Sequence, residues 1–247
     1  MSQIQGHCDP EFSQVREELE RNFAERGEVG ASVCLSVNGE TKVDLWGGLA
    51  NPETGEAWQE DTVSVVFSCT KAATALCAHI LIDRGLLDPA APVSEYWPGF
   101  AKNGKEATTV QMMLNHESAV PANREPVREG GYLDWDYMIS RMEDETAWWE
   151  PGTRNGYHMV NFGWTVGELV RRVSGQALGQ FFAKEVAEPT GADFWIGVPN
   201  DFARPIAPIR LYGPKEGDIP TSFTLNLMTK PDSLQALSFL NIGGWDM

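Results

Sequence analysis

Residues 67–88 read FSCTKAATALCAHILIDRGLLD, and how they are read decides the fold of this chain. From Ser68 to Arg84 the stretch is rich in alanine, and Gly85 follows where a helix needs a left-handed residue to stop. The spacing predicts a helix whose apolar face is Ala72, Ala73, Leu76, Ile80 and part of Cys77. Small residues on that face allow close backbone packing, so the helix is expected at the centre of its unit. At its start, Ser68 and Lys71 stand three residues apart, and residues at that spacing share a helix face. A serine hydroxyl is a weak nucleophile at neutral pH and needs a neighbouring base. A lysine serves if burial and nearby charge lower its pKa. The helix N-terminus adds oriented N–H groups beside the reacting carbon. The same four residues also fit a bland alternative, in which Ser68 caps the helix and Lys71 points to solvent.

On the N-terminal side, Asp9-Pro10 opens a predicted helix whose apolar stripe is Phe12, Val15, Leu19 and Phe23. Ala31, Val33, Leu35 and Val37 then alternate with Ser32, Cys34 and Ser36, which is the period of a half-buried strand. Asn38-Gly39 is a hairpin signal, because both turn positions require positive φ. The return strand runs through Val43, Leu45 and Trp46 to Gly47 and Gly48. On the C-terminal side, helices are expected from a Thr109 cap to His116, over Leu133–Met142, over Asn161–Val173 with Gly175 as its stop, and over Gln176–Val186 with Pro189 as its end. Beyond about Asn200 the chain is proline-rich and weakly periodic, and no element is assigned. No internal repeat or Ser/Gly linker occurs. The order divides the chain into a helix and hairpin (1–66), a helical region (67–199) and an irregular segment (200–247). This is an α+β pattern, an antiparallel sheet flanked by helices plus an all-helical region. Two strands alone make a marginal sheet, and no third strand is legible.

The chain has 247 residues, 42% hydrophobic and 22% charged, which excludes wholesale disorder. Its net charge of −16 argues against phosphate backbones and anionic lipid as partners. The most apolar helical stretch, Ala72–Ile82, is too short to span a bilayer. The first residues carry neither a basic nor an apolar signal region, from which a cytoplasmic location is expected. The cysteines (Cys8, Cys34, Cys69, Cys77) form no C-x-x-C and read as reduced thiols, with Cys69 and Cys77 as small buried fillers. The four histidines are isolated, so no metal site is expected. Glu143-Asp144-Glu145 reads as a solvated face.

Several ordered segments together resemble the serine β-lactamase/penicillin-binding superfamily, most nearly its esterase-like, class C-related branch. They are the hairpin of residues 29–46, Phe67–Lys71, the Arg-Gly-Leu-Leu-Asp of residues 84–88, the Val-Gln-Met-Met-Leu-Asn-His-Glu-Ser-Ala-Val-Pro of residues 110–121, and Pro151-Gly152-Thr153-Arg154-Asn155-Gly156-Tyr157 with the helix to Gly175. The resemblance implies a β-lactamase/transpeptidase-like fold with Ser68 as nucleophile. It puts Tyr157 on the family's Y-x-N motif as general base or proton donor, with the motif's asparagine replaced by Met159. His116 falls in a stretch like the family's Leu-Leu-x-His-x-x-Gly-Leu-Pro and is expected to fix a loop rather than move protons; the family glycine is Ala119 here. Trp148 and Trp149 are candidate walls of an acyl pocket, and His158 is a candidate pocket residue or solvent-facing side chain.

The superfamily's third motif, a Lys/His-x-Gly strand that donates the second oxyanion N–H, has no counterpart. The nearest segment is Ile242-Gly243-Gly244-Trp245. Since family members are longer, the sheet is expected to be incomplete and the chain a truncated product. The implied function is cleavage of small-molecule carboxylic esters through an acyl-enzyme on Ser68, whose own backbone N–H supplies half of the oxyanion hole. Acyl transfer to a serine needs no cofactor, and none is expected. β-Lactam or D-amino-acid peptide/amide hydrolysis is the alternative. A catalytically incomplete fragment or a non-catalytic scaffold is the other. A homo-oligomer or a complementing C-terminal segment is the partner that such an open sheet would take.

Overall fold

The computed structural model describes residues 4–210, 217 and 219–244. They form two compact units, residues 4–66 with 200–210, and residues 67–199 with 217 and 219–244.

In the first unit, β1 (Gln5–Cys8) is followed by α1 (Ser13–Glu25), β2 (Gly30–Val37), β3 (Glu40–Asn51) and β4 (Glu56–Ala57). The hairpin forms as its sequence requires: Asn38 and Gly39 take φ of 53° and 81°. Val33 faces Leu45 and Leu35 faces Val43, with a bulge between Leu35 and Ser36. The apolar side of the pair packs on α1, so that Leu19, Val43 and Leu45 are buried among Phe12, Val15 and Phe23. The sheet has four strands rather than two. β1 pairs antiparallel with the other edge of β3, and β4 pairs with its far end. β1 is illegible in the sequence because it has no apolar alternation. Its Gly6 has φ +94°, and a Cβ there would lie 2.0 Å from the Asp44 carbonyl oxygen. The strand therefore depends on glycine at the point of closest approach. A short parallel pair joins β5 (Val63–Ser64) to β6 (Ile206–Ala207).

The second unit is helical. Its central pair is α2 (Cys69–Asp83) against α5 (Asn161–Ser174), with α3 (Val110–Leu114), α4 (Trp135–Asp144) and α6 (Leu178–Phe182) packed around α5. Thr109 caps α3, Asp134 caps α4, and Gly175 ends α5 in the left-handed conformation. The core contains Cys77, Ala78 and Leu81 from α2 and Phe162, Val166, Leu169 and Val170 from α5. The buried face of α2 is thus Thr74, Cys77, Ala78 and Leu81, and Leu76 is 44% exposed. This corrects the expected face: an alanine-rich helix is apolar almost all round, so periodicity does not choose its side. Cys69 is exposed, contrary to its reading as a filler, because it lies on the first turn of α2; Cys77 is buried.

α6 continues through a π-helical turn, Ala183–Ala187, into α7 (Glu188–Thr190) and stops at Gly191 with φ +68°. Pro189 therefore lies inside the helical run rather than ending it. Further on, α8 (Ser222–Thr229) and α9 (Leu234–Leu240) lie in the segment left unassigned from sequence. Gly243 sits against the Arg128 carbonyl and accepts from Gly130 N–H in a bend, not a strand. Trp245 lies outside the described residues. The acidic run is not a uniform solvated face. Asp144 is exposed, but Glu145 is buried against Arg124 and Glu143 accepts from Trp97 Nε1 at 2.6 Å.

Candidate active site

The site lies within the second unit, where the first turn of α2 meets the loop leading into α5. Ser68 directly precedes the first helical residue, with φ −70° and ψ −6°, and its side chain makes no capping bond. The hydroxyl faces Lys71 and Tyr157 instead. Lys71 Nζ donates to Ser68 Oγ at 3.0 Å, and Tyr157 OH donates to the same oxygen at 2.8 Å. Lys71 is half-buried, also donates to the Met159 carbonyl at 2.6 Å, and lies 4.8 Å from the Tyr157 ring centroid. The capped-helix alternative with a solvated lysine is therefore not the arrangement found. Phe67, the residue before Ser68, has φ +44°, a conformation that costs a bulky side chain about 1–3 kcal/mol. Such strain persists where the surroundings over-determine it, and here it turns the chain sharply into α2.

Two segments, 115–119 and 148–158, carry Tyr157 to this place. Their main chains are tied by Trp148 N–H to the Ala119 carbonyl at 2.9 Å, Gly152 N–H to Glu117 at 3.0 Å and Gly156 N–H to His116 at 3.0 Å. His116 and Ala119 both take φ +62°, which explains why a glycine suits position 119. His116 Nδ1 accepts from His158 N–H at 3.0 Å, and its ring packs on Tyr157 at 5.0 Å and on Phe162 at 4.8 Å. His158 is 1% exposed, with Nε2 2.9 Å from Ser118 Oγ and Nδ1 2.5 Å from the Gly156 carbonyl. It neither lines the open side of the site nor faces solvent. The expected substrate contact is corrected because both ring nitrogens are already committed inside the loop. Trp149 is half-buried, donates to the Arg154 carbonyl at 3.1 Å, and covers Gly156, where a Cβ would lie 2.4 Å from its ring. Trp148 donates to the Ala122 carbonyl and stacks under Arg124 at 3.9 Å, a packing role.

Burial pushes the Tyr157 phenol up, but the hydrogen bonds with Ser68 and Lys71 and the ammonium charge outweigh it and leave it below an ordinary phenol. Burial, then the charge of Lys71, holds His116 below its usual range. Burial holds His158 down at about 3 against the pull of the Gly156 carbonyl, so both imidazoles are neutral at pH 7. Among the described residues no group of three His, Cys, Asp or Glu side chains is arranged to hold a metal, and no helix is long and apolar enough to cross a membrane. A cleft of about 610 Å³ in the first unit, bordered by Asn22, Arg26, Trp58 and Arg210, includes none of the Ser68 cluster. Three features escaped the sequence: the Met159 carbonyl as lysine anchor, Ser118 as partner of His158, and the strain at Phe67. None of the three left a signal, since the first is a main-chain acceptor, the second an ordinary serine and the third a backbone conformation.

A family model described as Beta-lactamase matches residues 16–223, and the chain belongs to that family. It is 35% identical over 191 residues to the esterase/beta-lactamase LipL of Mycobacterium tuberculosis, covering 76% of this chain and 43% of that protein. It is similar to a crystal structure of a family VIII carboxylesterase, with 44% identity and a TM-score of 0.75, covering 80% of this chain and 55% of that one. It is also similar to EstA from Arthrobacter nitroguajacolicus Rue61a, with 27% identity and a TM-score of 0.80, covering 100% of this chain and 61% of that one. These relatives place it on the esterase-like branch. The chain spans about half the length of the relatives it matches. The β-lactamase/transpeptidase-like α+β fold expected from sequence is the fold observed, over a part of the family's length.

Proposed function

We propose that this chain carries the nucleophile half of a serine hydrolase that cleaves carboxylic esters through an acyl-enzyme on Ser68. The observation that carries the reading is the convergence of Lys71 Nζ and Tyr157 OH on Ser68 Oγ, at 3.0 and 2.8 Å. Tyr157 is the proton carrier, since its hydroxyl lies 2.8 Å from Ser68 Oγ and its phenol, which burial raises, is drawn below the ordinary range by its hydrogen bonds with Ser68 and Lys71. Once the Tyr157 phenol has given up its proton, with the Lys71 ammonium beside it, Ser68 Oγ passes its own proton to the phenolate and attacks the ester carbonyl carbon. The Ser68 backbone N–H, at the start of α2, donates to the developing oxyanion. Collapse breaks the bond to the alkoxy oxygen, which takes the proton from Tyr157 and leaves as an alcohol. Water then gives a proton to Tyr157 and attacks the acyl carbon. Ser68 recovers its proton and the carboxylic acid departs. Trp149, over the loop beside Tyr157, is the side chain proposed to meet the acyl group.

The names of LipL and of the family VIII carboxylesterase support the ester reading. The name esterase/beta-lactamase favours β-lactams as a second substrate class. The test is hydrolysis of short-chain p-nitrophenyl esters and of nitrocefin by the 247-residue chain, beside labelling by a fluorophosphonate probe. Labelling that disappears in Ser68→Ala, with ester turnover above nitrocefin turnover, is the expected result. Turnover unchanged by Ser68→Ala overturns the assignment. No labelling of the wild-type chain indicates the catalytically incomplete alternative.

A further inference from the structure

The chemistry above leaves Ser118, His116 and His158 unused, yet the two histidines hold the main chain of the residues before and after Tyr157, and Ser118 holds the His158 ring. Gly156 is fixed twice, by its N–H to the His116 carbonyl at 3.0 Å and by its carbonyl to His158 Nδ1 at 2.5 Å. The next N–H, that of His158, is fixed on His116 Nδ1 at 3.0 Å. Tyr157 thus has pinned amides before and after it. One residue later the main chain offers the Met159 carbonyl to Lys71. We propose that Ser118, His158 and His116 form a positioning latch that sets both the Tyr157 phenol and the Met159 carbonyl, and through them Lys71, against Ser68. The proposal rests on reading the Ser68 cluster as the reactive site, but its geometry stands apart from any activity.

The partners dictate the proton positions. His116 Nδ1 accepts an N–H, so its proton is on Nε2. His158 Nδ1 meets a carbonyl and carries its proton, so Nε2 accepts from the Ser118 hydroxyl. Ser118 is wholly buried, as is His158, so neither has water as a substitute partner. Each ring is committed to one neutral tautomer. The groups facing His116 are the Lys71 ammonium from α2, the Tyr157 phenol and His158 from the loop, and the Phe162 ring from α5. A second proton on His116 Nδ1 would oppose the His158 N–H and release the loop. A shift of about 1 Å in a reacting group costs up to about a hundredfold in rate, and the latch holds two groups at once.

The test compares Ser118→Ala, His158→Leu and His158→Asn with wild type. The asparagine keeps an amide donor for the Gly156 carbonyl and the leucine does not. Tyr157 is titrated by NMR with ¹³Cζ-tyrosine, its resonance assigned by loss in Tyr157→Phe. Expected is a Tyr157 titration that returns toward an ordinary phenol in Ser118→Ala and His158→Leu and is restored in part by His158→Asn. In the same order, kcat for a p-nitrophenyl ester falls by about ten- to a hundredfold with KM unchanged. A wild-type Tyr157 titration in all three variants overturns the latch. If His158→Leu does not fold, Ser118→Ala, which removes one oxygen, decides by the same titration. If wild type neither turns over ester nor labels at Ser68, the hydrolase reading fails, and the titration still decides the latch.

Discussion

His158→Asn offers a direct measure of the buried imidazole, independent of any substrate. An exposed imidazole takes up a proton near pH 6.5, and His158 in the folded protein is held at about 3 by burial. Above pH 6.5 neither state is protonated and the group has no pH-dependent effect. Below it the unfolded chain binds the proton and the folded chain does not, so stability is lost as pH falls toward the folded value. One proton of difference is worth ~1.4 kcal/mol per pH unit, so between pH 7 and pH 5 His158 alone removes about 2 kcal/mol. Stopping at pH 5, well above the folded value, makes the result depend on the imidazole being neutral rather than on where it finally titrates. His116 is also held down and adds loss of the same sign, in both proteins. Urea unfolding followed by tryptophan fluorescence at pH 7 and pH 5 measures it. The asparagine variant is expected to be less stable at pH 7, by about 1–3 kcal/mol for the lost buried hydrogen bond. Its loss between pH 7 and 5 is expected to be smaller than the wild type's by about 2 kcal/mol. Parallel losses in the two proteins would refute the argument that His158 is buried neutral.

Tyr157→Phe removes the phenol oxygen 2.8 Å from Ser68 and keeps the ring against His116. Ester kcat is expected to fall by about 10²–10⁴-fold with a thermal midpoint close to wild type, read by steady-state kinetics and calorimetry. Lys105 is buried, donates to the Glu143 and Glu145 carbonyls at the end of α4, and is pushed down by burial to about 8. Between about pH 8 and 10.5 the unfolded chain holds the extra proton at this position, so wild type should gain stability with pH relative to Lys105→Met, the difference being read by urea unfolding of both at each pH. Glu168 is fully buried and accepts from Trp135, Arg171 and Arg172. Glu168→Ala strips all three, and because both arginines reach solvent the expected loss is about 1–3 kcal/mol rather than that of a stranded charge, seen as a lower thermal midpoint.

Much of the architecture was written locally. The Asn38-Gly39 turn, the strand alternation before it, the Thr109 cap and the Gly175 stop each act through their own residue's conformation, and each formed where its signal stood. The pairing of Ser68 with Lys71 was legible for the same reason, since three-residue spacing on a helix is a local fact. Tyr157 was named only through family resemblance, because 89 residues separate it from the serine it touches. What no local rule contains belongs to packing. β1 is a strand only because β3 offers it an edge, and the alanine-rich α2 learned which side to bury from α5. His158, an ordinary residue beside a motif, is a neutral buried ring because Ser118 and Gly156 enclose it. Main-chain acceptors such as the Met159 carbonyl have no side-chain identity to read, so only the tertiary fold decided that this one would hold Lys71.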